Sequence, residues 1–479
     1  MKTLIGNSEN HKYQQIAITI EKLITDDVLK VGDKLQSVRI LSKEQGISMS
    51  TAFQAYYHLE GRGLIESRPK SGYYVKHNPK KFANLPLKSQ PDATESEVST
   101  REILSRFYKD LETENIMKFS LALPPVNLLP VAKLNKAIHR ALQKYTHSCI
   151  DYEASRGSID LRRQITRLAF NWMGQISEDD IQVTSGCNEA LTTCIKAATK
   201  PGDTVAIESP TYFGILRILE YLGLKAIEIP TDPLTGVDID QLKINIDQNK
   251  VKACMFIPNF NNPLGSCMPD ENKKALVDML ANYEIPLIED DIYGELYFGA
   301  QRPRTCKTFD KNGMVLYCTS VSKSIAPGYR IGWTIPGKYL DKVRDVKSTY
   351  SGPTATVTQA GIANFLSVGR YDYHLKEMRK ELFKLSLRYS QAITEYFPID
   401  TRISRPQGGL VLWIELNKNI NAFQLYQEAI KHNISIIPGH LFSMQPRYAN
   451  CLRISFANPW TVETEKAIKV IGKIAKEMI

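Results

Sequence analysis

Apolar positions Ile16, Ile20, Leu23 and Ile24 recur at helical spacing and predict an amphipathic helix over 10–29. Gly32-Asp33-Lys34-Leu35 breaks it. Ser37 reads as the N-cap of a short helix through 45, with Val38, Leu41 and Ser42 on one face. Gly46-Ile47-Ser48 makes a turn, and Ser48 or Ser50 caps a further helix to 60. Two short strands follow at 64–67 and 73–76, joined by Arg68-Pro69-Lys70-Ser71-Gly72. From 78 to 100 the periodicity lapses into Pro, Lys, Asn, Ser and Glu, and 101–116 regains a weak helical period. Beyond 117, apolar runs at 181–184, 205–208, 225–229, 253–257, 286–289 and 314–319 alternate with helical segments. After 373 the pattern is helices plus two strands, 409–415 and 451–456.

Helix, helix, glycine turn, helix and hairpin is the order of a winged helix-turn-helix, here 10–77. A linker over 78–116 separates it from an α/β domain over 117–479, with a largely parallel sheet and a small C-terminal α+β subdomain. Such sheets place their chemistry beyond the carboxyl ends of the strands. A chain of 479 residues needs more than one core. The net charge is +10, and residues 1–80 carry +4 of it, a mild pointer to a polyanionic partner. Eight cysteines stand singly with no CxxC, which argues against zinc and a disulfide scaffold and fits a reducing cytoplasm. No apolar run approaches the roughly 18 residues that span a bilayer. The expected location is the cytoplasm.

Lys323 stands among small hydroxyl residues in Thr319-Ser320-Val321-Ser322-Lys323-Ser324, seven positions before Arg330. A lysine forms a Schiff base only while its amine is neutral, and cationic and apolar neighbours favour that state. Ser320, Ser322 and Arg330 supply a phosphate clamp beside it, the requirement for holding pyridoxal 5′-phosphate, whose ring acts as an electron sink. Ser185-Gly186-Cys187-Asn188 follows an apolar run and opens a helix, a natural phosphate seat or simply a glycine before a helix. Tyr212 lies past a strand end, where it either stacks on a cofactor ring or packs in the core. Asn262, in Asn261-Asn262-Pro263-Leu264-Gly265, donates to a cofactor or makes the turn. Glu289-Asp290-Asp291 puts three carboxylates at a strand end, which is costly unless they are used or solvated. Among them, Asp290 beneath a pyridinium nitrogen would keep it protonated, and Tyr293 would reach the ring hydroxyl. Arg453, inside an apolar strand, asks for a carboxylate partner, which a substrate would supply.

The order of these residues resembles that of the fold-type I, class I/II aminotransferases. The resemblance begins at Phe119-Ser120-Leu121-Ala122-Leu123-Pro124 and includes Tyr152 in Tyr152-Glu153-Ala154-Ser155-Arg156-Gly157. It continues through Asn262-Pro263-Leu264-Gly265, Asp290 to Tyr293, Ser322-Lys323 and Arg330 to Arg453. It implies that Lys323 carries the cofactor, Asp290 pairs with the pyridine nitrogen, and Asn262 and Tyr293 hold the ring hydroxyl. It also implies a homodimer in which Tyr152 reaches the phosphate of the neighbouring subunit's cofactor. Where the family offers a hydroxyl after the phosphate-binding glycine, this chain has Cys187, a weaker donor.

Residues 10–77 resemble the GntR-type winged helix in Val31-Gly32-Asp33-Lys34-Leu35, Ser37-Val38-Arg39, Gly46-Ile47-Ser48, Ala55-Tyr56, Gly63-Leu64-Ile65 and Ser71-Gly72-Tyr73-Tyr74-Val75. Ser37 and Arg39 are then expected to bond DNA phosphates. Met49, Ser50, Thr51 and Gln54 would open the recognition helix toward base edges, and Arg68 and Lys70 would tip the wing. The family commonly has an arginine where Met49 stands. Some winged helices mediate only protein contacts.

The whole arrangement resembles that of the MocR regulators. It implies a transcription regulator that binds a double-stranded operator and senses pyridoxal phosphate or a small amino compound. A working transaminase with an accessory DNA-binding domain is the alternative, and an enzyme that uses its first 77 residues for dimerisation is a third. A random-coil linker of about 40 residues reaches ~35 Å, enough for a winged helix to sit over either subunit.

Overall fold

The computed structural model describes residues 12–61, 64–68, 71–76, 83–94, 116–145, 149–174, 176–248 and 251–479. Lys70 and all but the last residue of the helix expected over 101–116 lie outside them.

The first domain comprises α1 (Lys12–Thr25), α2 (Val38–Glu44), α3 (Met49–Gly61) and the antiparallel hairpin of β1 (Ile65–Arg68) and β2 (Gly72–Val75). Ser37 caps α2 by accepting from the Ile40 N–H. Ser48, not Ser50, caps α3, accepting from the Thr51 N–H at 3.1 Å. α1 buries Ala17, Ile20 and Ile24, whereas Leu23, expected on the same face, is exposed. These α1 residues meet Ala52, Tyr56 and Leu59 of α3 and Ile65 and Val75 of the hairpin in one small core.

The linker differs from the expected free coil. Residues 83–94 run along the second domain and are pinned to it at both subdomains. Asn84 bridges Arg402, and its carbonyl accepts from the Ile403 N–H at 2.8 Å. The Leu87 N–H donates to Glu415, while Lys88 pairs with Asp238 at 2.5 Å. Ser89 Oγ accepts from the Thr231 N–H at 2.7 Å, and Asp92 engages Gln445 and Arg447. Aperiodic sequence does not exclude docking, because this segment is held by backbone and polar groups rather than by an apolar stripe. Even fully extended, the chain from Lys76 to Ala83 spans at most about 25 Å.

The second domain opens with β3 (Met117–Lys118). Its main sheet contains β4 (Gln182–Thr184), β5 (Thr204–Ser209), β6 (Lys225–Asp232), β7 (Gly236–Val237), β8 (Val251–Phe256), β9 (Leu287–Asp290), β10 (Val315–Ser320) and β11 (Gly332–Ile335). The spatial order is β4-β11-β10-β9-β8-β5-β6-β7. β10, β9, β8, β5 and β6 are mutually parallel, whereas β11 runs antiparallel to both neighbours and β7 antiparallel to β6. The central strands are buried along nearly their whole length, as expected for a sheet covered by helices on both faces.

The small subdomain holds β12 (Arg402–Ile403), β13 (Val411–Glu415), β14 (Ile434–Ser435), β15 (Ile437–Pro438) and β16 (Cys451–Ser455). Four of them form a sheet in the order β12-β13-β16-β15, and β14 pairs in parallel with β3. Among the described residues no helix is long and apolar enough to cross a membrane.

Candidate active site and DNA-reading face

The parallel strands bring the turns that follow β5, β8, β9 and β10 to one end of the sheet, and the expected site residues converge there. β10 runs directly into a single 3₁₀ turn, Val321–Lys323, with the Ser320 hydroxyl accepting from the Ser322 N–H. This turn aims Lys323 inward, where Nζ donates to the Ala122 carbonyl at 2.7 Å and lies 5.8 Å from the Tyr293 ring centre. Desolvation, reinforced by the Arg453 cation, pushes the Lys323 amine down to about 8, with Asp290 opposing.

The three adjacent carboxylates are divided among separate partners. Glu289 accepts from the backbone N–H groups of Cys306 and Lys307 at 2.7 and 2.9 Å. Asp291 is taken up by Arg302, Asn259 and Tyr317. Asp290 alone faces the site, accepting from the Ile292 N–H at 3.1 Å and from the Cys187 thiol at 3.4 Å. Burial pushes its carboxyl up to about 6. Burial and the neighbouring Asp290 charge also push the Cys187 thiol well up, so it remains a donor. Cys187 was expected to face a phosphate; its side chain turns to Asp290 instead, leaving its backbone N–H for the anion.

That backbone belongs to a cradle with no room for side chains. Gly186 has φ +89°, and a Cβ there would run into the Arg330 guanidinium. A Cβ on Gly332 would run into the Gly186 backbone. Arg330 itself adopts the left-handed region, φ 53°, and donates to the Ser185 carbonyl at 3.2 Å. The helix Cys187–Ala198 begins at this point with no side-chain cap on its first N–H groups and with Asn188 exposed beside them. The Ser322 hydroxyl is buried and has no hydrogen-bond partner.

On the opposite side Arg453 projects from β16 and is 2% exposed. One terminal nitrogen donates to Asn262 Oδ1 at 3.2 Å, another to the Ser120 carbonyl, and Nε has no partner. Among the described residues no carboxylate pairs with it. Burial pulls it down to about 10, against the stabilising Tyr293 and Tyr212 hydroxyls. A buried guanidinium with no counter-ion is costly, and a ligand carboxylate would remove that cost. Tyr293 is buried and held protonated by desolvation. The Tyr212 ring sits over Gly214, where a Cβ would strike it, and packs 4.8 Å from Phe213.

Lys323, Asp290, Cys187, Gly186, Asn188, Ser320, Ser322, Arg330, Asn262, Tyr293, Tyr212 and Arg453 therefore share one region. Tyr152 does not join them; it is 93% exposed, on the loop before the helix Ile159–Met173. Sequence reasoning missed Glu208, the buried penultimate residue of β5, which accepts from the Ile257 N–H at 2.8 Å and is pushed up to about 8 by burial. It also missed the Ser120 and Ala122 carbonyls, since backbone acceptors carry no signal of residue type. The glycine cradle, the unpartnered Ser322 hydroxyl and the buried Asp290 fit pyridoxal phosphate.

In the winged helix, Arg39, Met49, Ser50 and Gln54 are exposed, as is Ser37, while Thr51 is half-buried. Arg68 is exposed but committed, stacking 4.2 Å over Tyr74 and bonding Glu66. The Ser50 and Thr51 hydroxyls both bond Ser48 Oγ, at 2.7 and 2.8 Å. Phe53, absent from the expected set, is 52% exposed.

Residues 12–75 match the GntR family of bacterial regulatory proteins, and residues 116–471 match the class I and II aminotransferases. The uncharacterized HTH-type transcriptional regulator YjiR of Escherichia coli is 37% identical over 462 residues, covering 96% of this chain and 98% of its own. The uncharacterized regulator YdcR of the same organism is 34% identical over 468 residues, 98% of this chain and 100% of its own. Among solved structures, Pyrococcus horikoshii kynurenine aminotransferase in complex with PMP and kynurenine superimposes with a TM-score of 0.74 at 27% identity. That match covers 79% of this chain and 95% of the aminotransferase. The chain belongs to the GntR-type transcription regulators of the MocR arrangement, a winged helix followed by a pyridoxal-phosphate-dependent class I and II aminotransferase domain.

Proposed function

We propose that this regulator takes up pyridoxal phosphate as a Schiff base on Lys323 and senses an amino compound that carries a carboxylate. The observation that carries this reading is Arg453, a buried guanidinium with no anion, in the same site as a lysine amine poised near 8. When bound, the cofactor supplies an electron sink. The chain's own residues do the rest. Asp290 would hold the proton on the pyridine nitrogen, Tyr293 and the Asn262 amide would donate to the ring hydroxyl, and Tyr212 would supply an aromatic face beside the ring. The amides at Gly186, Cys187 and Asn188 hold the phosphate with Ser320, Ser322 and Arg330. Arg453 takes the ligand carboxylate in a bidentate grip. Exposed Tyr152 reaches the neighbouring subunit's phosphate in a homodimer, which makes the site complete only between two chains.

Sensing needs a route to the winged helix, and a ligand shifts an equilibrium only through differential interaction with its two states. The pinned segment 83–94 supports such a route. It touches β12 and β13 of the small subdomain and Thr231 and Asp238 of the large one. A ligand that changes the spacing of the two subdomains moves this strap, and the winged helix ends only a short span before it. The operator is chromosomal DNA, so the workplace is the cytoplasm.

The test measures operator binding by purified chain with and without pyridoxal phosphate and a panel of amino compounds. The expected result is an affinity change that depends on Lys323 and Arg453. Operator affinity unmoved by every compound that alters the cofactor's absorption would overturn the sensing role. The alternative reading, transamination, is favoured by the intact set of Lys323, Asp290 and Arg453. Turnover of an amino acid with 2-oxoglutarate at ~1 s⁻¹ or more would make the chain an enzyme first.

A further inference from the structure

α3 turns Ala52, Ala55, Tyr56 and Leu59 into the winged-helix core. Its opposite side presents Met49, Phe53 and Tyr57, which are 51%, 52% and 46% exposed. Spacing of four residues stacks them in one stripe along the helix. Tyr57 already has a neighbour in the second domain, the Lys380 ammonium, 5.7 Å from its ring centre. Met49 and Phe53, in the first turns, do not share that contact. An exposed apolar pair at the start of a recognition helix calls for a partner.

The surroundings say which partner. Arg39 is exposed near the start of α2; Arg68 on the hairpin and Lys76 just after it are exposed but share Glu66. Exposed cations position a helix on phosphates while its centre meets base edges. Hydrogen-bonding readers are scarce at that centre, because Gln54, although exposed, lines a cavity with Tyr57 and with Tyr297 and Lys380 of the second domain. The hydroxyls of Ser50 and Thr51 are tied to Ser48 within the capping turn, and Met49 and Phe53 have no group that bonds a purine. In the major groove the base edges present donors, acceptors, the small C5–H of cytosine and one apolar group large enough to pack against, the C5-methyl of thymine.

We infer that Met49 and Phe53 read thymine methyl groups, so that the operator half-site is specified at the start of α3 by van der Waals contact rather than by the bidentate guanine bond an arginine would make. This rests on the winged helix binding duplex DNA through α3.

The experiment selects duplexes from a random pool with the full-length protein, then replaces each thymine in turn by deoxyuridine. That exchange removes the methyl and keeps every hydrogen bond. Binding should weaken about fourfold at one or two thymines per half-site, the equivalent of one buried methyl each. Met49→Ala and Phe53→Ala should each abolish the sensitivity at one position, and Met49→Arg should shift selection there toward guanine. Both side chains are exposed, and folding of the winged helix is checked by unchanged amide hydrogen exchange in α1 and α3, since cofactor absorption reports only on the second domain. Tight binding that is indifferent to uracil everywhere overturns the inference and leaves the regulator reading intact. Unchanged DNA affinity in both alanine variants assigns the stripe to a protein contact and also overturns it. Failure to select any duplex overturns the regulator reading itself.

Discussion

The two ligand-facing regions of this chain are specified in opposite ways. The site around Lys323 is buried, and its ligand is indicated by what its polar groups lack. Arg453 has no anion, Ser322 has no acceptor, and Asp290 is the one carboxylate of three left facing the site. In a low dielectric each such gap is costly, so the gaps themselves outline a phosphate, a pyridine nitrogen and a carboxylate. The face of α3 is exposed, and there an unpaired polar group costs little. Its ligand is indicated instead by apolar residues that water would rather not meet. Burial makes an unsatisfied charge informative, whereas exposure makes an unsatisfied hydrocarbon informative.

The comparison predicts that substitutions in the buried site act in steps and those elsewhere by degrees. Lys323→Ala should eliminate the visible absorption of the protein–cofactor adduct entirely; a variant that keeps the band would remove the lysine from its role. Arg453→Ala should leave that band in place and weaken binding of carboxylate-bearing amino compounds roughly 100-fold, since two charged hydrogen bonds are lost. Titration of the band with an amino acid and with its decarboxylated amine checks this, because only the amino acid should lose affinity. Equal losses for both would mean that Arg453 supports the pocket without meeting the carboxylate.

The pH dependence follows from the sign of the lysine shift. Burial lowers the folded-state value of Lys323 from the usual lysine range to about 8, so the neutral amine grows as pH rises through that value. The rate at which cofactor-free protein takes up pyridoxal phosphate should therefore rise about fivefold from pH 7 to 8 and level off above 9. Arg453 contributes to the lowering, so Arg453→Ala should move this profile to higher pH. A profile that continues to climb to pH 10 in the unsubstituted protein would mean that the amine is not desolvated as described.

How far the sequence disclosed these regions depends on the kind of bond involved. The strand ends were legible because fully buried strands read as apolar runs, and Asp290, Asn262, Lys323 and Arg453 lie within or beside such runs. β11 was not separately legible. Its four residues follow the Lys323 motif so closely that they read as part of it, and only the close approach of Gly332 to Gly186 marks where the strand lies. Cys187 was correctly located, but its direction was not. A residue at the first position of a helix can turn to the anion or back to the sheet, and Asp290 decides that. Leu23 was expected on the buried face of α1 because it is apolar at helical spacing, but it is exposed, and Ala17 joins Ile20 and Ile24 against α3 instead. The docked segment 83–94 was opaque, being held by backbone groups, a serine and exposed ion pairs.

Cys187 gives a smaller and sharper test. Its thiol bonds Asp290 at 3.4 Å, so its side chain would act through Asp290 on the pyridine side of a bound cofactor rather than on its phosphate. Cys187→Ser should change the ratio of affinities for pyridoxal phosphate and pyridoxal by less than about twofold, because the phosphate contacts are untouched. Cys187→Ala should raise the Asp290 carboxyl further, since the lost thiol bond stabilises its charge, and weaken both ligands together. Equilibrium titration of the two ligands decides the matter. A loss confined to the phosphorylated one would return Cys187 to the phosphate seat.

The smallest effect is expected at the strap, and it tests whether the two regions communicate at all. Lys88 with Asp238 and Arg447 with Asp92 are partly exposed pairs, each worth at most about 1 kcal/mol. Lys88→Ala together with Asp92→Ala should therefore leave folding, cofactor absorption and operator affinity in the absence of amino compound nearly unchanged. What should fall is the difference in operator affinity with and without that compound, because a strap loosened from both subdomains no longer follows their relative motion. Reciprocity gives a second reading of the same quantity: operator DNA should shift amino-compound affinity by the same factor, and the double variant should shrink both factors equally. If the ligand effect survives the double variant at full size, the signal travels by another route, and the exposed Tyr152 loop, where a second subunit is proposed to meet the site, becomes the place to look.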